Sequence, residues 1–178
     1  VTATTANHQR KEVMKNAFLH DLFILEVQDL YSAELQLVKA LPKMADAAHT
    51  DELREGFQDH LAQTEEHVKR LQKIASTLDF PAEGKECKGM AGLISEGEEM
   101  IKTMGKSAIR DLALISAAQK VEHYEIAGYG TVRTLAEMME HDEQVEILQM
   151  TLDEEGETDE LLTEAAETIM SDLEDSEE

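Results

Sequence analysis

The chain has 178 residues, 42% of them hydrophobic, enough to build one compact domain around a buried core. Its formal charge of −23 argues against nucleic-acid binding as a main task, because phosphate recognition needs a basic surface, and disfavours anionic membranes for the same reason. Only two prolines, Pro42 and Pro81, interrupt runs rich in Ala, Leu, Glu, Met and Gln, all good helix formers, so the expected fold class is all-α.

Residues 1–16 are polar and lack an apolar leader-like stretch, and they read as a flexible N-terminal segment. No run of about 18 apolar residues occurs. The single cysteine, Cys87, reads as a free thiol. A cytoplasmic location is the resulting expectation. Helical periodicity then marks four long segments: Ala17 to Ala48, Asp51 to Leu78, Ser107 to Met139 and Asp142 to Met170. Thr50 or Asp51, Ser107 and Asp142 stand where N-caps belong, and Pro42 should bend the first helix near its end. The first and third connections are very short, which makes each pair of helices an antiparallel hairpin. The middle connection, Asp79 to Lys106, is long, with Pro81, Gly84, Gly89, Gly92 and Gly105 read as turns around a short helix, Leu93 to Met104. Two hairpins joined by one long crossover is the ferritin-like topology, and the bundle is placed at residues 17–170. From Glu137 to Glu178 there are 18 acids and no Lys or Arg. That segment reads as a solvated acidic face ending in a disordered tail, residues 171–178.

Each apolar stripe is broken by polar residues near its middle. On the first long helix Glu34 sits among Leu19, Phe23, Val27, Leu30, Leu37, Val38 and Leu41. On the second, Thr64 takes the centre, with His60 and His67 beside it. The third carries Glu122 and Glu125, three apart, and the fourth Glu155 and Asp159, four apart, so each pair shares a face. Because these breaks fall near the helix midpoints, a rise of about 1.5 Å per residue brings them to one height. For any one residue, a surface position or a satisfied core polar group explains the pattern as well as a ligand does. Five acids at one level are different, since each unpaired buried carboxylate costs several kcal/mol and no Lys or Arg at that height is in phase to compensate. A bound cation supplies the missing charge, and oxygen ligands with an occasional imidazole suit iron or manganese, as one or two ions. Gly128 and Gly130 inside the third long helix point to close helix approach there.

The runs LHDLFILEVQDLYSAELQLVKALPKMADAA, HLAQTEEHVKRL, AAQKVEHYEIAGYGTV and LDEEGETDELLTEAA resemble the YciE/YciF family of stress-associated ferritin-like proteins. Tyr31-Ser-Ala-Glu34 with His60 and Thr64 is the most specific part. The resemblance implies a ferritin-like bundle that forms a homodimer. It also implies a comparison with rubrerythrin-like sites, which draw one Glu from the first helix, Glu-x-x-His from the second, Glu-x-x-Glu from the third and Glu-x-x-His from the fourth. Glu34, His67, Glu122, Glu125 and Glu155 match that pattern, whereas Thr64 stands for the second-helix Glu and Thr158 for the fourth-helix His. Three readings remain open: a metalloenzyme acting on dioxygen or peroxide, a protein that sequesters metal under stress, and a structural or partner-binding bundle with a vestigial site.

Overall fold

A computed structural model describes the backbone of residues 3–175 and the side chains of residues 17–175. It contains five helices, α1 (Ala3–Ala47), α2 (Asp51–Thr77), α3 (Lys88–Thr103), α4 (Ala108–Met138) and α5 (Asp142–Asp175), and no strand among the described residues. α1 packs along α2 and α4 along α5; the two hairpins meet through α1 with α4 and α2 with α5. α3 lies across the outside of α4 and α1. The expected all-α, ferritin-like bundle with one extra helix is the observed one. The backbone of α1 is helical from Ala3, and α5 carries its helix to Asp175, into the acidic end of the chain; residues 176–178 lie outside the described residues.

The ends of the long helices follow from local chemistry. Thr50 and Ser107 cap α2 and α4, their hydroxyls accepting from Leu53 N and Arg110 N. Asp142, expected as a cap, is itself the first residue of α5. α2 and α4 each close with the six-to-one bond of a Schellman turn, Phe80 N to Ala75 O and His141 N to Ala136 O, both at 3.0 Å. The left-handed residues this turn requires are Asp79 (φ 58°) and Glu140 (φ 60°), in place of the usual glycine. α3 begins at Lys88, ahead of the expected Leu93, so Gly89 and Gly92 are helical and do not mark turns. A side chain at Gly89 would press on the Tyr124 ring, so this glycine lets α3 rest on α4. Gly128 likewise makes room for Leu30 of α1, whereas nothing lies near Gly130.

The core is divided. One apolar cluster gathers Leu37, Leu41, Leu53, Phe57, Leu114, Ile115 and Leu162, and a second gathers Phe23, Val27, Leu30, Leu71, Ile74, Val132 and Leu148. In sequence, the polar break of every long helix falls between its contributions to these two clusters. The α1–α2 turn is secured by α4. Buried Asp111 accepts from His49 N at 2.7 Å and, through its second oxygen, from Thr50 N at 2.8 Å and Thr50 Oγ1 at 2.9 Å. Its neighbour Arg110 donates to the Ala47 carbonyl, serving the end of α1, which has no basic residue of its own in the last turn. Asp111→Ala strands three donors at once and is expected to cost about 2–3 kcal/mol in chemical denaturation, with Asp111→Asn losing less.

Candidate metal centre

Between the apolar clusters lies a polar layer. Glu34 comes from α1, His60, Thr64 and His67 from α2, Glu122 and Glu125 from α4, and Glu155 from α5; none is more than 5% exposed, so bulk solvent does not reach them. Their ligating atoms form two groups. One atom each from His60, Glu122, Glu125 and Glu155 lies within 4.8 Å of the others, and so does one each from Glu34, His67 and Glu155. Glu155 belongs to both groups. His67 Nδ1 is 3.0 Å from Glu155 Oε1 and 3.4 Å from Glu34 Oε1, and Tyr129 donates its hydroxyl to Glu34 Oε1. His60 Nε2 is 3.3 Å from Glu122 Oε1, while its Nδ1 faces Gln63 Oε1 at 3.3 Å and Thr158 Oγ1 at 3.4 Å.

These residues fit a metal ion by the state of their oxygens. Glu34 Oε2, Glu122 Oε2 and both oxygens of Glu125 and of Glu155 are buried without a well-aligned hydrogen bond, His67 Nδ1 standing beside Glu155 Oε1 only as an ion-pair partner. A buried acceptor left unpaired costs about 1–3 kcal/mol, more when charged, and a cation is the partner that six such oxygens share most economically. Asp159 is not brought into either group. It lies one turn further along α5 than Glu155 and ends half-buried at the rim, 3.4 Å from the exposed His123. Sequence reasoning also missed a cation at this height. Arg70 of α2 is partly buried and forks onto Glu154, with Nη1 2.5 Å from Oε2 and Nη2 2.9 Å from Oε1. Glu154 Oε2 is in turn 2.8 Å from His67 Nε2. Arg70 follows His67 by three residues, a spacing that keeps both near one face, and this was the available signal.

Metal-free, the layer is balanced by protons. Burial alone would lower both imidazoles, but bonds to Glu122 hold His60 up at about 9, and bonds to Glu155 and Glu34 hold His67 up at about 10. Burial raises the carboxyls of Glu34 and Glu125, the latter far above the usual range, and lifts Glu122 to about 7 against the pull of His60. Glu154 moves the other way, lowered by the Arg70 guanidinium.

Residues 18–173 match the family described as a domain of unknown function, DUF892. Protein YciF of Escherichia coli (strain K12) is 44% identical over 149 residues, 83% of this chain and 90% of that protein. The chain belongs to the DUF892 family, with YciF, within the ferritin-like superfamily. The crystal structure of the E. coli stress protein YciF superposes with a TM-score of 0.83 at 41% identity, covering 86% of this chain and 97% of that one. YcfI from Rhodopseudomonas palustris gives 0.79 at 36% identity over 82% and 92%. A protein from Xanthomonas campestris pv. campestris, 20% identical with a TM-score of 0.70 over 89% and 98%, shares the fold.

Two positions set this DUF892 chain apart from the rubrerythrin-like pattern. Thr64 turns its hydroxyl proton back to the His60 carbonyl at 2.9 Å and brings no charge to the layer. Thr158 leaves the α5 side without an imidazole, and the His60 ring lies against it and Glu122. α2 therefore brings one imidazole to each group of acids.

The folded, metal-free layer holds protons that the unfolded chain releases, since ordinary His titrates near 6.5 and Glu near 4.5. Stability therefore falls as pH rises. The imidazole contribution is complete below pH 6.5 and is lost through about 9 for His60 and about 10 for His67. The metal-free protein is expected to lose at least about 5 °C in Tm between pH 6.5 and 10. Calorimetry across that range checks this, and replacing both imidazoles by Gln should flatten the slope.

Proposed function

We propose that this protein binds two ions of iron or manganese in the mid-bundle layer, one held by Glu34 and His67, the other by His60, Glu122 and Glu125, with Glu155 bridging them. The observation that carries this reading is the sharing of Glu155 by two buried ligand groups with carboxylate oxygens that lack a well-aligned hydrogen bond. A bridging carboxylate lets two cations sit side by side, because it screens each from the other while neutralising both. When bound, iron or manganese would supply Lewis acidity and electrons for the reduction of dioxygen or peroxide. The chain's own part is to hold the layer dry between two apolar clusters and to surrender imidazole and carboxyl protons as metal enters. Sequestration without turnover uses the same residues. A non-enzymatic bundle with a vestigial site is the other reading, favoured by Thr64 standing where a carboxylate would bridge.

A stress-related role is proposed from the E. coli relative, described as a stress protein. A cytoplasmic place is consistent with the finding that no described helix is long and apolar enough to cross a membrane. A homodimer is proposed as well, on the family resemblance and on Phe18, Leu22 and Leu25, exposed on one side of α1. Light scattering at moderate salt should return twice the chain mass at micromolar concentration, and a monomer there removes the dimer from the account.

Metal entry has a direct readout. Anaerobic Fe²⁺, Mn²⁺ or Zn²⁺ at about a hundred times its Kd should stabilise by about 2.7 kcal/mol, roughly 5–10 °C in Tm, with proton release measurable in weak buffer. Glu125→Gln should abolish most of the shift and leave the metal-free fold as stable or slightly more so, because it removes a carboxyl that burial already keeps protonated. Glu66→Gln, on the outer face of α2 beside Lys69, should change nothing. Absence of any shift with all three ions sinks the proposal, and peroxide consumption by the loaded protein separates turnover from storage.

A further inference from the structure

The rest of the layer does not explain why Glu154, next to the bridging Glu155, turns the other way and meets a guanidinium. The three side chains form a relay from the surface to the layer. Arg70 grips both oxygens of Glu154, at 2.5 and 2.9 Å, and also donates to Thr151 Oγ1 at 3.1 Å. The two-pronged grip fixes the plane of the carboxylate, which a single contact would leave free to rotate. Glu154 then presents Oε2 to His67 Nε2 at 2.8 Å, while the opposite nitrogen, Nδ1, faces Glu34 and Glu155. The His67 ring is fully buried and the Glu154 side chain is 28% exposed, so the carboxylate spans the boundary between layer and solvent.

His60 has no such backing. Its outward nitrogen meets only an amide oxygen and a hydroxyl, at 3.3 and 3.4 Å, both neutral and both long. The two imidazoles are therefore held by different means, although both come from α2.

We propose that Glu154, clamped by Arg70, is the positioning residue of the Glu34–His67–Glu155 group: it takes the Nε2 proton of His67 in a hydrogen bond and thereby presents Nδ1, unprotonated, to a divalent cation. This rests on the metal-binding reading above. An imidazole can ligate through either nitrogen, and a carboxylate hydrogen-bonded to one of them selects the other, fixes the ring and strengthens it as a donor. Glu154 does not touch the cation itself. Its loss should weaken binding by about 10–100-fold, the range such outer partners of ligating imidazoles command.

The test uses zinc, which is diamagnetic, with calorimetric titration and ¹⁵N-resolved NMR of the imidazoles on the full chain. Wild type should bind Zn²⁺ and show His67 protonated at Nε2, with that proton protected from exchange. Glu154→Ala should raise the Kd about 10–100-fold and abolish the protected proton. Glu154→Gln keeps an acceptor and should fall between the two, a graded rescue that simple loss of packing does not give. Glu143→Ala removes another α5 acid, paired on the surface with Lys73, and should match wild type. Should Glu154→Ala bind zinc as wild type does with the Nε2 proton still protected, the positioning role is overturned while the metal site stands. Wild type that binds no zinc overturns both. If Glu154→Ala does not fold, Glu154→Gln and Arg70→Gln decide: wild-type zinc affinity together with a wild-type imidazole spectrum in both overturns the relay.

Discussion

Charge balance in the mid-bundle layer governs the rest of this structure. Glu34, Glu122, Glu125 and Glu155 are removed from water on four sides by helices, and the low local dielectric makes any unneutralised charge among them costly. Two solutions are built into the same side chains. In one, His60 and His67 carry protons and the carboxyls that burial presses hardest, Glu125 above all, hold theirs. In the other, the proposed one, divalent cations would take the place of those protons. Proton and metal would then compete for one set of atoms, which would couple occupancy to pH.

The two hairpins supply this layer unequally. α1 contributes one acid and α5 the shared one; α4 contributes two, and α2 both nitrogens. Such an arrangement works only if all four helices keep their relative heights, and the structure fixes them at both ends. Asp111 and Arg110 of α4 tie the α1–α2 turn at one end. At the other, Phe80 after α2 and His141 after α4 both pack on Phe23 of α1. Arg70 and Glu154 join α2 to α5 at the height of the layer itself.

Much of this was legible in the sequence because helices and their buried faces are local properties. A 3.6-residue period located the four long helices, and Glu34, His67, Glu122, Glu125 and Glu155 were visible as polar residues in apolar stripes. What was not legible depended on partners remote in sequence. Gly89 and Gly92 read as turn residues but are helical, and for Gly89 the reason for a glycine is the Tyr124 ring of α4, which the sequence does not place beside it. Asp79 and Glu140 give no glycine signal for the left-handed residue that ends a helix. Asp159 shares the face of Glu155 by spacing, yet one turn further along α5 it meets the exposed His123 and not the layer. Arg70 sits outside the apolar stripe, and its partner Glu154 is 84 residues away on α5.

The most direct test is anomalous diffraction from crystals of the protein loaded with Mn²⁺ or, anaerobically, with Fe²⁺, recorded on either side of the metal edge. Two peaks are expected inside the bundle, flanking the Glu155 carboxylate, one against His67 Nδ1 and one against His60 Nε2. Peaks confined to the acidic outer face of α5, with the mid-bundle layer empty at saturating metal, would contradict the two-ion site.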